Sequence, residues 1–118
     1  TATSTVAENQ MLSNPMYVHS IPTNNDNQDI VSMGTNAALA CRKVIENSFE
    51  VMALYLMSLL QAVDYLKIRT KLSSQTGAAY DSLRTIFPVF IADAVKYEDA
   101  RKIQMYISMN GRTIYDSL

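Results

Sequence analysis

Three side-chain amides, Asn24, Asn27 and Gln28, are the groups in this chain best suited to hold a small polar ligand. An amide donates and accepts hydrogen bonds without carrying charge. It can therefore orient an amine, a carboxylate or a ring hydroxyl. The three stand in the polar stretch Pro22-Thr23-Asn24-Asn25-Asp26-Asn27-Gln28-Asp29, which runs straight into Ile30-Val31-Ser32-Met33-Gly34. Asn, Asp and Pro favour turns and helix starts, because their side chains compete for backbone groups or preset φ. The stretch reads as a loop poised on a helix N-terminus, where unpaired N–H groups and a partial positive charge suit a carboxylate. Turn-making and capping explain Asn24 to Asp26 well and Gln28 poorly.

Other chemistries find little support. His19 is the single histidine and has no Asp or Ser at a spacing that suggests a triad; it reads as a surface or hydrogen-bonding residue. Cys41 falls within a helical pattern and reads as a small buried hydrophobe rather than a nucleophile. The seven methionines and seven tyrosines read mostly as packing. No metal-ligand constellation and no glycine-rich phosphate loop is present. A net charge of −1 gives no basic footprint for nucleic acid or anionic lipid. One cysteine excludes an internal disulfide framework and fits a reducing, cytoplasmic compartment. No signal peptide is visible at the start.

The elements that must position the amides are helical. Thr1 to Leu12 reads as a helix end, stopped by Ser13-Asn14-Pro15, since proline lacks the N–H and clashes with a preceding turn. Met16 to Asn27 reads as an extended loop, long enough to suggest a functional one. A long helix is predicted from Gln28 or Asp29 to about Leu66, with Asp29 as cap or in the first turn. That is about 57 Å of helix, more than 118 residues can bury, so it needs partners. Ile30, Met33, Ala37, Cys41, Val44, Ser48, Met52, Tyr55, Leu59, Ala62 and Leu66 recur at spacings of 3 and 4 and mark one seam. Val51 to Leu60 is apolar all round, which implies burial on every side, yet is too short to span a membrane. Ser73-Ser74 reads as a break and new cap. Gln75 to Phe87 is a second helix with Ala79, Leu83 and Phe87 inward, weakened at Gly77 and stopped by Pro88. Glu98 to Met109 is a last amphipathic helix with Ile103, Tyr106 and Ile107 inward and Glu98 paired with Lys102. Asn110-Gly111 reads as its stop, with a frayed tail beyond. The fold class is all-α, in segments 1–27 (helix end and loop), 28–67 (long core helix) and 75–110 (C-terminal helices).

Ser20-Ile21-Pro22-Thr23, Asn27-Gln28-Asp29 and Val31-Ser32-Met33-Gly34, taken in order, resemble the C-terminal active-site segment of the aromatic amino acid ammonia-lyases, a family that includes aminomutases. Glu8-Asn9, Leu12 and Pro15 upstream, and Ala37-Ala38, Glu46-Asn47 and Gln61-Ala62-Val63-Asp64 downstream, extend the likeness over the first half of the chain. The resemblance implies a long-helix bundle fragment of the ammonia-lyase, aspartase-like, fold. It implies a much longer parent protein, and a start at Thr1 without Met agrees.

In that family the position of Gln28 is Glu in histidine lyases and usually Gln, after Asn, in phenylalanine and tyrosine lyases and aminomutases. Asn27-Gln28 therefore implies an aromatic ring, with tyrosine favoured over histidine. A charged carboxylate beside an apolar or phenolic ring would lack compensation. Gln28 and Asn27 are the implied catalytic positions, and Asn24 and Gln28 the substrate-binding ones. The family's electrophile is a methylidene-imidazolone ring (MIO) made from an Ala-Ser-Gly triplet. None of the three glycines here follows a serine. The implied role is thus one wall of a site, completed by the rest of the chain and by other subunits of a homotetramer, with no metal, nucleic acid or membrane partner. A histidine lyase making urocanate, an aminomutase, and a non-enzymatic helical oligomerisation module are the alternatives.

Overall fold

The computed structural model describes residues 1–19, 21, 22 and 32–116, with side chains as far as residue 110. Four α-helices follow one another: α1 (Ala2–Leu12), α2 (Gly34–Leu66), α3 (Ser74–Ile86) and α4 (Tyr97–Asp116). Short 3₁₀ turns lie at Met16–His19 and Arg69–Lys71. No β-strand occurs among the described residues. The chain divides into two compact units, Thr1–Ser48 and Phe49–Leu118, and α2 contributes to both.

In the first unit, α1 ends at Ser13, whose backbone N–H and hydroxyl both donate to the Gln10 carbonyl, at 3.3 and 2.7 Å. Pro15 follows as expected, but the loop is not extended throughout. Its carbonyl accepts the Val18 N–H at 3.4 Å and opens the first 3₁₀ turn. The long helix also begins later than its pattern suggested. Ser32 and Met33 are not helical. The Gly34 N–H donates to Ser32 Oγ at 3.3 Å, and the Met33 carbonyl accepts the first helical bond, from Ala37, at 2.9 Å. A short hydroxyl that binds a backbone N–H sets a helix start more firmly than the apolar period does. Asp29, expected as the cap, lies outside the described residues. Cys41, expected to be buried, is exposed.

The second unit holds the core. Ala53, Met57 and Leu60 of α2 pack with Leu83 and Phe87 and with Ala100, Ile103 and Ile107 of α4. Phe87 and Ile103 are completely buried. The expected inner faces of α3 and α4 are therefore the observed ones, with Ala79 and Tyr106 half-buried beside them. On α2 the buried positions are not those of the long seam. Met52, Tyr55, Leu59 and Leu66 remain exposed, so the expected burial of Val51–Leu60 on every side is not met within these residues. By length and composition alone α2 could also cross a bilayer, a property that core helices of soluble proteins share.

The helix ends carry the local chemistry. Ser73 caps α3, accepting the Thr76 N–H at 3.2 Å, as the serine pair implied. Gly77 lies against Arg69, where an added Cβ would stand 2.7 Å from a guanidinium nitrogen. α4 runs past Asn110-Gly111 to Asp116. Asn110 does not terminate it, its amide donating to the Tyr106 carbonyl at 3.0 Å, and a glycine inside a helix costs only about 1 kcal/mol. Lys102 pairs with Asp99 at 4.0 Å rather than with Glu98, and Lys96 reaches the same carboxylate at 3.4 Å.

α2 ends on a left-handed residue that is not glycine. Lys67 has φ 55°, its N–H donates to the Asp64 carbonyl, and the Ile68 N–H donates to that of Val63, both at 3.1 Å. This is a Schellman closure, in which a Cβ is strained and glycine is not. Lys67→Gly is expected to stabilise the full-length protein by about 0.5–1 kcal/mol, read as a raised denaturant midpoint at unchanged m-value. Phe87→Ala is expected to destabilise it by about 3–5 kcal/mol in the same experiment.

Candidate functional site

Asn24, Asn27 and Gln28 lie outside the described residues. Around them the structure describes the elements on either side: α1 with its 3₁₀ turn before, and the start of α2 after. His19, at the end of that turn, is exposed.

These two elements are joined by a polar clasp within the first unit. Asn47 on α2 is 2 % exposed, a rare burial for an amide that must find partners. Its Nδ2 donates to Glu8 Oε2 and to Asn9 Oδ1 of α1, both at 2.9 Å. Lys43, one turn earlier on α2, stands 4.0 Å from the other oxygen of Glu8. Both donors of the amide nitrogen are thus used. The sequence resemblance includes Glu8-Asn9 and Glu46-Asn47, but nothing in their spacing showed that they meet, since they are separated by 38 or 39 residues.

A second polar knot lies in the other unit, and the sequence reading missed most of it. Gln61 and Asp64 sit three residues apart on α2, on one face. Arg84 of α3 donates to Asp64, to Gln61 Oε1 at 2.9 Å and to the Phe87 carbonyl at 2.9 Å. Its Nε is buried without a partner among the described residues. Gln61 in turn donates to the Phe90 carbonyl at 2.9 Å, and the Tyr80 hydroxyl donates to Asp64. Two guanidinium groups flank the Tyr80 ring, Arg69 at 5.5 Å and Arg84 at 5.7 Å from its centroid. Arg69 is itself anchored on Asp81, with Nε 3.0 Å from one carboxylate oxygen. That contact raises the Arg69 pKa and lowers that of Asp81. The one signal in the sequence was the pair Gln61 and Asp64 interrupting an apolar helix, since polar groups placed there need partners.

What each cluster can do follows from its saturation. Arg84 spends its terminal nitrogens on protein oxygens, and Asp64 receives both Arg84 and Tyr80. The knot therefore ties α2 to α3 and to the segment after it, with Arg84 Nε its one buried polar atom left without a partner among the described residues. Among the described residues no group of three or more His, Cys, Asp and Glu side chains could hold a metal ion.

Comparison with known proteins gives a concordant set of matches. The family model for aromatic amino acid lyases matches residues 1–85. Histidine ammonia-lyase 1 of Fusobacterium nucleatum subsp. nucleatum is 37% identical over 109 residues, 92% of this chain and 21% of that protein. The MIO-dependent tyrosine 2,3-aminomutase of Streptomyces globisporus is 36% identical over 98 residues, 83% of this chain and 18% of that protein. A crystal structure of tyrosine aminomutase from Streptomyces globisporus superposes with a TM-score of 0.86 at 32% identity, covering 92% of this chain and 20% of that one. The chain spans about a fifth of the length of the curated relatives it matches.

The Tyr80 hydroxyl gives the knot a pH signature. Its hydrogen bond to the Asp64 carboxylate, and then burial, raise its pKa above the ordinary 10.0, against the opposing pull of Arg84. A raised folded pKa contributes stability that is complete below the unfolded value and is lost as pH rises through the folded one. Tyr80→Phe is expected to cost about 1 kcal/mol at neutral pH. That deficit should shrink above about pH 10, measured as denaturant midpoints of both proteins across the alkaline range.

Proposed function

The chain belongs to the aromatic amino acid lyase family, and on that premise we propose that the whole protein eliminates ammonia from an aromatic L-amino acid to give an α,β-unsaturated acid. One observation carries the reading: the ordered run from Ser20-Ile21-Pro22-Thr23 through Asn27-Gln28-Asp29 to Val31-Ser32-Met33-Gly34, inside the matched region. Tyrosine is the favoured substrate, because a neutral Gln28 suits a phenolic ring where a Glu would suit an imidazole.

In this reading Gln28 and Asn27 orient the substrate, or the electrophile, through amide hydrogen bonds, and Asn24 adds a further contact. A base from outside these residues takes the β-proton as the amine leaves, and the electron pair becomes the new double bond. The methylidene-imidazolone ring, when present, supplies the electrophile that activates the amine. No glycine of the chain follows a serine, so the triplet that forms the ring is not among these residues. The exposed Met52, Tyr55 and Leu59 fit packing against the rest of the subunit and its neighbours in a cytoplasmic homotetramer.

A second reading on the same scaffold is an aminomutase, which returns the ammonia to the β-carbon. A relative and a structural neighbour named for tyrosine aminomutase favour it. A third, the histidine lyase, is favoured by relatives named for that activity.

Product analysis of the full-length protein on L-tyrosine, L-phenylalanine and L-histidine separates them. Coumarate from tyrosine is the expected outcome; a β-amino acid would establish the mutase, and urocanate from histidine would overturn the substrate argument from Gln28. In the same protein Gln28→Ala is expected to lower turnover by about 100-fold with the oligomer intact on size exclusion. Normal turnover with disturbed assembly would instead favour a helical oligomerisation module.

A further inference from the structure

We propose that Arg69 is a latch that holds shut the junction between α2 and α3, residues 67–73, and that this junction is a salt-sensitive conformational device, opening while α3 stays in place.

No glycine or proline stands between Gly34 and Gly77, yet α2 stops at Leu66 and the next residue, a lysine, is held at φ 55°. A residue with a Cβ resists that conformation, so contacts made elsewhere must impose it. Backbone bonds within the junction are few: the Lys71 N–H donates to the Ile68 carbonyl at 2.9 Å and the Leu72 N–H to that of Arg69 at 3.4 Å. Arg69 reaches across to α3. Its Nε donates to one carboxylate oxygen of Asp81 at 3.0 Å, and a terminal nitrogen donates to the other. A paired contact of this kind fixes direction as well as distance. The same guanidinium lies 5.5 Å from the Tyr80 ring centroid and fills the space above Gly77, where an added Cβ would meet it at 2.7 Å. Gly77 weakens α3 as a helix former and is the seat of the latch.

Burial separates this latch from the knot beside it. The Arg69 and Asp81 side chains are 41% and 61% exposed, so dissolved ions screen their attraction. Those of Arg84 and Asp64 are 11% and 25% exposed and are screened much less. Salt therefore loosens the junction and leaves α3 tied to α2 through the bonds of Arg84 to Gln61 and Asp64. The junction is a short piece of chain, strained at one end and held from outside by an exposed contact, which is the pattern of a segment that opens locally and not with the whole fold.

The test is hydrogen–deuterium exchange of the full-length protein, read separately for peptides covering 67–73 and for α3. Raising salt from about 0.05 M to about 0.5 M is expected to speed exchange in 67–73 by about 3-fold and to leave α3 unchanged. Asp81→Asn removes the charged acceptor; it is expected to speed exchange in 67–73 by about 10-fold at low salt and to abolish the salt response. Gly77→Ala displaces the guanidinium while favouring the helix. It is expected to speed exchange in 67–73 by about 10-fold with a denaturant midpoint unchanged or raised, a combination that general loosening of the fold does not produce. Exchange in 67–73 that ignores salt, or that is unchanged in Gly77→Ala, overturns the latch. So does exchange that rises equally across α3. If Asp81→Asn does not fold, the salt series on the parent and Gly77→Ala decide alone.

Discussion

A polar group on an apolar helix must find its hydrogen bonds inside the protein, and that constraint organises what α2 touches. α2 is 33 residues long and its middle is almost continuously apolar. Leaving a buried amide or carboxylate unpaired on such a helix costs on the order of 1–3 kcal/mol, more than a typical apolar contact returns. Asn47 answers the constraint with Glu8 and Asn9, and Gln61 and Asp64 answer it with Arg84, Tyr80 and the Phe90 carbonyl. Apolar packing is tolerant of small rotations; these bonds are not. They set which part of α1 meets α2 and how α3 and the segment after it are held.

The two polar contacts sit at different places along α2. In the knot around Asp64 the carboxylate receives both Arg84 and Tyr80, and Arg84 Nε alone is left without a partner among the described residues. The clasp at Asn47 ties α1 to α2. No glycine of the chain follows a serine, so a Ser-Gly step is not among these residues. The Met52, Tyr55 and Leu59 side of α2 is left exposed among the described residues.

Legibility differed sharply between neighbouring elements. The inner faces of α3 and α4 were readable because each helix has one apolar face, so period 3.6 identifies Leu83, Phe87, Ile103 and Ile107 without ambiguity. On α2 the same rule marked the Met52-Tyr55-Leu59 side, which is exposed among the described residues, while the equally apolar Ala53-Met57-Leu60 side is the buried one. At the start of α2 a side-chain bond to Ser32 outweighed composition, and α4 absorbs Gly111 at the modest cost of a glycine inside a helix. The candidate amides Asn24, Asn27 and Gln28 lie outside the described residues, and the Asn47 clasp was not legible, because a contact across 38 residues leaves no periodic trace.

The sequence by itself determined the family and the all-α class, because each is written in local order: a motif and a period. Which polar residues meet was decided only when the chain folded. Asn47 with Glu8 and Asn9, and Asp64 with Tyr80 and Arg84, are pairings of groups far apart along the chain, chosen by the helix packing that brings them within hydrogen-bond reach and by the cost of leaving any of them unpaired.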